Sequence, residues 1–369
     1  MKKITLLFIL FGIFSVFSQI KAPQEYIYNY GKKVSYYHEV ENYFEHLCKE
    51  SKLIAQINYG KTYQDKNLNA YIITSENNHS NLELIRKNHL YQIGLHQEKP
   101  NQIIDKIIIW LSFNVHGNEI GAIESSLSVV YQLLSDTKYQ QILQESIIIL
   151  DPCLNPDGFS RYVQWHRDHS GKRIHPEKYD REHMEAWSNG RNNHYHFDLN
   201  RDWAWQTQVE TQQRNKLYNQ WMPIIHTDVH EMGPNEPYFM PPSAAPFHEQ
   251  VAEFQIEMHQ KIGKYTSKEF DKYNWMYYSG ERFDLFYPSY GDTWPTFNGA
   301  IGTTYEQGGI GAGRAEKLKN GQILTIQDRI DHHKVAILAN VEVAYQEREF
   351  LKTGFRKFFQ EQRKNPKGT

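Results

Sequence analysis

The stretch that decides the fold is residues 105–119, which read Asp-Lys-Ile-Ile-Ile-Trp-Leu-Ser-Phe-Asn-Val-His-Gly-Asn-Glu. Residues 105–115 form a near-continuous apolar run, which is typical of a strand buried on both faces. After it, apolar residues recur at helical spacing, at Ile120, Ile123, Leu127, Val130, Tyr131 and Leu134. A buried strand followed directly by such a helix predicts one unit of an α/β fold.

The same alternation continues along the chain. Further short apolar or β-branched runs predict strands over residues 55–59, 69–74, 147–150, 223–229 and 302–306. Helices are predicted near residues 36–49, 207–221 and 247–268, and a closing helix carries Ile326, Ile330, Ile337, Val341 and Ala344 on one face. This pattern predicts an α/β fold, specifically an α/β/α sandwich with a mixed, largely parallel central sheet.

Length, charge and the N-terminus narrow the class of protein. The chain has 369 residues and a net charge of −2, so it can bury a large core but offers no general electrostatic case for a nucleic-acid partner. Met1-Lys-Lys, an apolar run to Phe17 and the small residue Ser18 predict a secretory signal peptide over residues 1–18. We therefore expect an exported protein, periplasmic or secreted, with no stable membrane span after cleavage; the alternative is an uncleaved anchor.

Two features concern loops and cysteines. Residues 159–200 are rich in His, Arg, Asn and Gly and predict a long loop, which is uncommon unless it is functional. Cys48 and Cys153 could pair in an exported protein, but nothing in their surroundings requires them to meet. We expect two separate thiols.

A candidate metal site begins at the end of the first quoted strand. His116 and Glu119 are three residues apart at the start of the predicted helix, so both side chains can point the same way. His230 ends a later strand and supplies a third ligand, with His226 as a competitor inside that strand and Asp228 as a residue that could orient a ligand. Two histidines and a carboxylate suit a catalytic zinc with one open position, although a lone His-x-x-Glu also occurs by chance.

Five segments carry a resemblance to a known family. They are His116-x-x-Glu119, Asn155-Pro-Asp-Gly158, Asp198-Leu-Asn-Arg-Asp-Trp203, Asp228-Val-His230 and Thr304-Tyr-Glu306. In this order and spacing, from about Tyr26 to about Phe350, the chain resembles the zinc metallocarboxypeptidases of the carboxypeptidase A-like group, and it is similar to exported carboxypeptidase-like proteins of Bacteroidetes-type bacteria. The resemblance implies a catalytic domain over residues 19–350, a basic C-terminal tail over 351–369 and one Zn²⁺ per chain.

The resemblance also implies roles for individual residues. Glu306 is the predicted general base and then general acid, although a buried carboxylate paired with an arginine would look the same. Asn200 and Arg201 are the predicted grip on a substrate carboxylate, since a guanidinium binds a carboxylate bidentately. The alternative for Arg201 is an ion pair with Asp198 or Asp202.

Two further roles have competing candidates. The oxyanion-stabilising arginine is predicted to be Arg191, nine residues before Asn200, with Arg167 as the competitor. The family also places a tyrosine on a loop before the catalytic strand, and Tyr287 and Tyr290 are the candidates, with ordinary packing as the alternative for both.

Together these residues predict an exported zinc-dependent metallocarboxypeptidase that hydrolyses C-terminal peptide bonds. Its expected partner is a peptide or protein substrate with a free C-terminus. Two other enzyme readings keep the same zinc site, namely a cell-wall peptide amidase and an acyl-amino-acid hydrolase. The alternative that is not an enzyme is a non-catalytic peptide-binding domain. The joint presence of the predicted ligands, Arg201 and Glu306 argues against it.

Overall fold

The computed structural model describes residues 20–364, so the predicted signal peptide over 1–18 lies outside the described residues. The strands are β1 (Ile54–Lys61), β2 (Asn67–Ile73), β3 (Ile107–Phe113), β4 (Ser146–Asp151), β5 (Ile225–Met232), β6 (Tyr238–Phe239), β7 (Tyr277–Tyr278), β8 (Ile301–Gly308), β9 (Ala315–Lys317) and β10 (Ile323–Thr325). Each predicted strand corresponds to one of these, which confirms the pattern of apolar runs.

The helices lie between these strands in sequence. They are α1 (Pro23–Tyr26), α2 (Tyr37–Glu50), α3 (Glu76–Ser80), α4 (Leu82–Gln92), α5 (Ile120–Ser135), α6 (Lys138–Glu145), α7 (Pro156–His169), α8 (Val209–Trp221), α9 (Glu253–Asp271), α10 (Thr293–Phe297), α11 (Ile326–Gln346) and α12 (Arg348–Lys364). Two single turns of 3-10 helix cover Arg181–His183 and Leu199–Arg201.

Eight of the strands form one mixed sheet in the order β1-β2-β4-β3-β5-β8-β6-β7. The four central strands, β4, β3, β5 and β8, are parallel to one another. Antiparallel pairs join β1 to β2, β2 to β4 and β6 to β8. The predicted mixed, largely parallel sheet is therefore confirmed.

Both faces of the sheet are buried. Along β3, Ile107, Ile109 and Leu111 belong to one apolar cluster, whereas Ile108 and Trp110 belong to a second cluster on the other face. The first cluster includes residues of α5, α9 and α11, and the second includes residues of α8. Alternate residues of one strand thus pack against different helical layers, which explains why the strand is apolar throughout.

The parallel strands bring the predicted metal ligands to one edge of the sheet. His116 and Glu119 follow the carboxyl end of β3, and His230 lies near the carboxyl end of β5. His230 is the register partner of Glu306 in β8, so their side chains leave the sheet on the same face. Ligand sites in open α/β sheets commonly form at this edge.

The predicted loop over 159–200 is wrong at its beginning. Residues up to His169 are helical, because α7 starts at Pro156 and Asn155 caps it by accepting a hydrogen bond from the Gly158 backbone at 3.0 Å. Its buried positions include Phe159, Tyr162, Val163 and His166. These four residues have helical spacing, but the charged residues between them obscure the pattern.

The segment predicted as a basic C-terminal tail is helical as far as the structure describes it. Helix α12 runs to Lys364, and Leu351 and Phe355 are buried in the main core. Apolar residues at positions 351, 355 and 358 give α12 an apolar face that packs on the domain, although its composition is basic. The packed core thus includes residues beyond position 350.

Two smaller observations complete the fold. Cys48 and Cys153 are both free thiols in the structure, as expected from the sequence. Within residues 20–364, no helix combines the length and the apolar character needed to cross a membrane.

Candidate active site

The turn after β3 depends on one residue with a positive φ angle and on one glycine that allows two other segments to approach closely. Asn114 has a positive φ of 57°, and its side-chain amide donates to the carbonyl oxygen of His116 at 3.0 Å. At Gly117, a Cβ would lie 2.2 Å from the backbone nitrogen of Phe159 and 2.6 Å from the carbonyl oxygen of Gly190. Because only glycine permits this approach, the start of α7 and the loop at residue 190 pack directly against the turn.

Three side chains at this turn and on β5 converge. His116 Nδ1 is 2.7 Å from Glu119 Oε1, His230 Nδ1 is 3.1 Å from Glu119 Oε2, and the two Nδ1 atoms are 3.3 Å apart. All three residues are buried, and their ligand atoms lie within 4.8 Å of one another. This is the arrangement that the spacing of His116, Glu119 and His230 predicts. His226, the competitor, lies deeper in the strand with its ring against Trp203 and is not part of the group.

The outer nitrogen of each histidine contacts a carboxylate. His230 Nε2 is 2.7 Å from Asp228 Oδ2, and His116 Nε2 is 3.1 Å from Asp198 Oδ1. Such contacts fix the ring orientation and leave each Nδ1 directed at the shared centre. The sequence anticipated Asp228 in this position but not Asp198, although Asp198 begins one of the quoted motifs.

The electrostatics of the three converging residues are those of a cation site. Burial raises the pKa of Glu119, but the charges and hydrogen bonds of His116 and His230 outweigh it and hold the pKa well below its usual range. Burial lowers the pKa of His230, yet Asp228 and Glu119 raise it well above its usual value. Excess negative charge at this centre thus favours a bound cation.

These residues fit a zinc ion by their donor chemistry. Two imidazole nitrogens and one carboxylate are a ligand set of catalytic zinc sites, which leave a position open. The Glu231 backbone also donates to Glu119 Oε2 at 3.0 Å, which fixes that carboxylate in place.

Glu306 lies beside this group on the neighbouring strand. It lines the same cavity of about 370 Å³ as His116, Glu119 and His230. Its Oε2 atom is buried and has no hydrogen-bond partner among residues 20–364. Burial raises the pKa of Glu306 to about 8, an effect that nearby His230 partly offsets. No ion pair between Glu306 and an arginine occurs in the described part of the chain.

The two candidate oxyanion arginines lie in different places. Arg191 lines the cavity, where its Nη2 is 3.1 Å from Asp198 Oδ2 and its Nη1 is 3.4 Å from Glu119 Oε1. Arg167 lies on α7, where its guanidinium stacks 4.4 Å from the ring centroid of Tyr36. Of the two, only Arg191 lines the cavity that holds the candidate zinc ligands.

Asn200 and Arg201, the residues predicted to bind a substrate carboxylate, also line the cavity. Asn200 accepts a hydrogen bond from the Gly291 backbone at 2.7 Å, and Arg201 stacks 4.5 Å from the ring centroid of Tyr290. Arg201 is about 4.0 Å from Asp198, a loose contact that leaves its guanidinium available. Tyr287 does not line the cavity; its hydroxyl accepts a hydrogen bond from Trp205 at 3.0 Å.

Asp198, Asp292 and Arg282 were not assigned a role in the site from the sequence. Asp198 lies behind the cavity wall, where it contacts both His116 and Arg191. Asp292 is buried at the cavity wall and accepts hydrogen bonds from Thr304 and Thr293, at 2.7 and 2.9 Å. Burial raises the pKa of Asp292 to about 6. Arg282 adds a third arginine to the lining, and no motif in the sequence marks it.

Solved structures share this fold. The chain aligns with thrombin activatable fibrinolysis inhibitor at a TM-score of 0.56 and 13% identity, over 89% of this chain and 78% of that one. It aligns with the carboxypeptidase A of Helicoverpa armigera at a TM-score of 0.56 and 13% identity, over 86% of this chain and 75% of that one. At these identities the likeness establishes the fold alone.

Part of the chain is also similar in sequence to curated proteins that are named carboxypeptidases. A probable carboxypeptidase 2 of Arthroderma benhamiae is 25% identical over 147 residues, which are 39% of this chain and 22% of that protein. Carboxypeptidase 2 of Trichophyton tonsurans is 28% identical over 138 residues, 36% of this chain and 20% of that protein. The matched stretch thus spans about a fifth of the length of these curated relatives.

The family comparison covers more of the chain. The model of the zinc carboxypeptidase peptidase family matches residues 40–231, which is more than half of the 369 residues. That match includes His116, Glu119, Arg191, Arg201 and His230, and it ends before Glu306. With the converging ligands, the parallel sheet and the shared fold, this match shows that the chain belongs to the zinc carboxypeptidase family.

Proposed function

We propose that this protein is an exported zinc-dependent metallocarboxypeptidase, which hydrolyses the C-terminal peptide bond of a peptide or protein with a free C-terminus. The observation that carries the proposal is the shared cavity. Glu306, whose buried Oε2 has no partner among the described residues, lines this cavity together with the three candidate ligands, Arg191 and Arg201. The predicted signal peptide supports export, since it lies at the extreme N-terminus.

His116, Glu119 and His230 would hold one zinc ion. Bound there, zinc would act as a Lewis acid and supply an activated water nucleophile near neutral pH. Asp228 and Asp198 keep the two imidazole rings oriented toward that centre.

Glu306 moves the proton in this mechanism. Burial makes the Glu306 carboxylate a stronger base by raising its pKa, and a zinc cation bound next to it would favour the deprotonated form. In that form it can take a proton from the attacking water and pass it to the leaving amine. Both steps use the same carboxyl group, so one residue serves as base and then as acid. Arg191, already held toward the cavity by Asp198, supplies the charge that stabilises the developing oxyanion.

Asn200 and Arg201 select the substrate's end. A guanidinium and an amide can both donate to a terminal carboxylate, which orients the last peptide bond toward Glu306. Tyr290 holds the Arg201 guanidinium by stacking on it.

The decisive experiment is a peptide-library digest by the purified, zinc-loaded protein, read by mass spectrometry. We expect ladders that shorten from free C-termini. C-terminally amidated copies of the same peptides are the matched control and should be cut far more slowly, because Arg201 then lacks a carboxylate to bind.

The other outcomes discriminate between the alternatives. Internal cleavage, or equal cleavage of amidated peptides, would contradict a carboxypeptidase and favour a peptide amidase. Cleavage of acyl-amino acids alone would favour the acyl-amino-acid hydrolase. A protein that takes up no zinc and cuts nothing would favour the non-catalytic peptide-binding domain.

A further inference from the structure

A second cavity, of about 470 Å³, shares no lining residue with the catalytic one. It lies between the segment after α1, the end of α7 and the residues that follow it, and Arg314 closes one side. Its charged lining residues are all cationic, namely Lys32, Lys33, Arg167, Lys172 and Arg314. We call it the basic cavity.

The positive charge of the basic cavity is only partly neutralised. Glu39 lies 3.9 Å from both Lys33 and Arg167, and Glu182 lies 2.6 Å from Arg314. Counted with these two ion-pair partners alone, the five cations leave a surplus of three positive charges (5 − 2). Neither carboxylate lines the cavity itself. Such a surplus in a concave site attracts a multiply charged anion.

The surplus includes two lysines without an ion pair. Lys32 and Lys172 are exposed at the rim, and neither has a salt bridge to another residue of the described chain. Their flexible ammonium groups can therefore turn toward a ligand at little cost.

A buried side chain in the same cavity also lacks partners. His166 is only 1% exposed, and neither ring nitrogen has a hydrogen-bond partner among residues 20–364. The Nε atoms of Arg167 and Arg314 are likewise buried and unpartnered. Buried polar atoms in proteins usually have a partner, and an anion bound close to these nitrogens would supply hydrogen-bond acceptors for them.

The ionisation of His166 reflects the same surroundings. Burial lowers the pKa of His166 to about 3, and the charges of Arg314 and Arg167 contribute to that shift. The ring is therefore neutral and carries one N–H donor.

We propose that the basic cavity binds a phosphate group with at least two negative charges, carried by a soluble small molecule. Guanidinium forks and lysine ammonium groups are the usual ligands of phosphate oxygens, and a surplus of three positive charges would be poorly matched by a single carboxylate. The cavity volume lies in the range of small-molecule sites and leaves room for more than the phosphate itself.

The test is calorimetric titration of the full-length protein with inorganic phosphate and with glycerol 3-phosphate, at an ionic strength held constant with sodium chloride. We expect saturable binding with a dissociation constant of about 1 mM or tighter. Replacing both rim lysines, Lys32→Gln with Lys172→Gln, should weaken binding roughly 5- to 30-fold. Both positions are exposed, so the variant should fold normally.

A matched control changes the same charge elsewhere. Lys264→Gln with Lys268→Gln removes two exposed lysines of α9 that have no salt bridge in the described residues, and it should alter binding less than twofold. A loss equal to that of the rim-lysine variant would contradict the proposal, because the effect would then be one of overall charge.

Three other results would also overturn it. One is the absence of saturable binding by either soluble probe, including a case in which only vesicles containing phosphatidic acid bind. Another is full displacement by chloride at equal ionic strength. The last is a loss of binding in Arg201→Gln but not in the rim-lysine variant, which would place the phosphate in the catalytic cavity.

Discussion

His230 and His166 are buried almost equally, 2% and 1% exposed, but their surroundings have opposite charge. For both, burial lowers the pKa. Around His230, Asp228 and Glu119 overcome that effect and raise its pKa well above the usual value. Around His166, Arg314 and Arg167 add to it, and the pKa falls to about 3.

The difference shows that burial alone does not assign a role to a histidine. Negative neighbours make the surroundings of His230 suitable for a metal cation, whereas positive neighbours make the basic cavity suitable for an anion. Carboxyl groups follow the same rule. Glu119 and Glu124 lie five positions apart at the start of α5, and both are buried. The pKa of Glu119 is held low by the two histidines, whereas burial raises the pKa of Glu124 to about 7.

The largest effect is expected at Glu306. Glu306→Gln should keep one zinc per chain and lower kcat by about 10²–10⁴-fold, because the amide cannot accept the proton from water. Steady-state assays measure kcat, and metal analysis of the same sample measures the zinc content per chain. Glu249→Gln, an exposed carboxylate on a surface loop, is the control and should retain activity. Near-normal turnover in Glu306→Gln would remove Glu306 from the mechanism.

The next effect separates the two cavities. Arg191→Gln should reduce kcat/KM for peptides by about 10²–10³-fold, because it removes a donor to the oxyanion. Arg167→Gln should lower peptide turnover far less and should weaken phosphate binding instead, since Arg167 lines the basic cavity. Steady-state kinetics and the phosphate titration on both variants make the comparison. The reverse pattern would show that the two arginines have been assigned to the wrong sites.

Glu124 offers a test on stability rather than turnover. Its pKa of about 7 in the folded protein lies above the usual value of 4.5, so the folded protein keeps a proton on Glu124 between those two pH values. The free energy of unfolding should therefore fall as pH rises through this window, by up to about 3 kcal/mol. Glu124→Gln has no such proton.

Urea denaturation of both proteins at several pH values between 4.5 and 7 measures this contribution as the difference between their curves. Zinc binding and the other ionisable groups affect both curves alike and cancel. A difference that does not change with pH would mean that Glu124 ionises normally in the folded protein.

The smallest of these effects is expected at Asp228, the partner of His230. Asp228→Asn should weaken zinc affinity by about 10–100-fold, because the amide no longer fixes and polarises the imidazole. Competition with a zinc chelator gives the affinity directly. Asp168→Asn, an exposed carboxylate on α7, should leave it unchanged. Unchanged affinity in Asp228→Asn would show that Glu119 alone controls His230.

Much of this molecule follows from local sequence patterns. The apolar run before His116 predicts a doubly buried strand, and the 3.6-residue periodicity after it predicts α5, because both patterns depend on residues close together in the chain. The patterns failed where polar residues interrupted an apolar face. Helices α7 and α12 were missed in this way, since polar and charged residues outnumber the buried apolar residues in both.

The sequence by itself determined which strand ends carry the candidate site residues, namely His116, Glu119, His230 and Glu306. Together with the family match it also determined the class of site. Only the tertiary structure decided which charged side chains lie close together. Asp198 reaches His116 across 82 residues of sequence, Arg191 rather than Arg167 enters the catalytic cavity, and Arg314 joins Lys32 around His166. Electrostatic effects depend on distances in space between side chains from remote segments, and no local pattern in the chain encodes those distances.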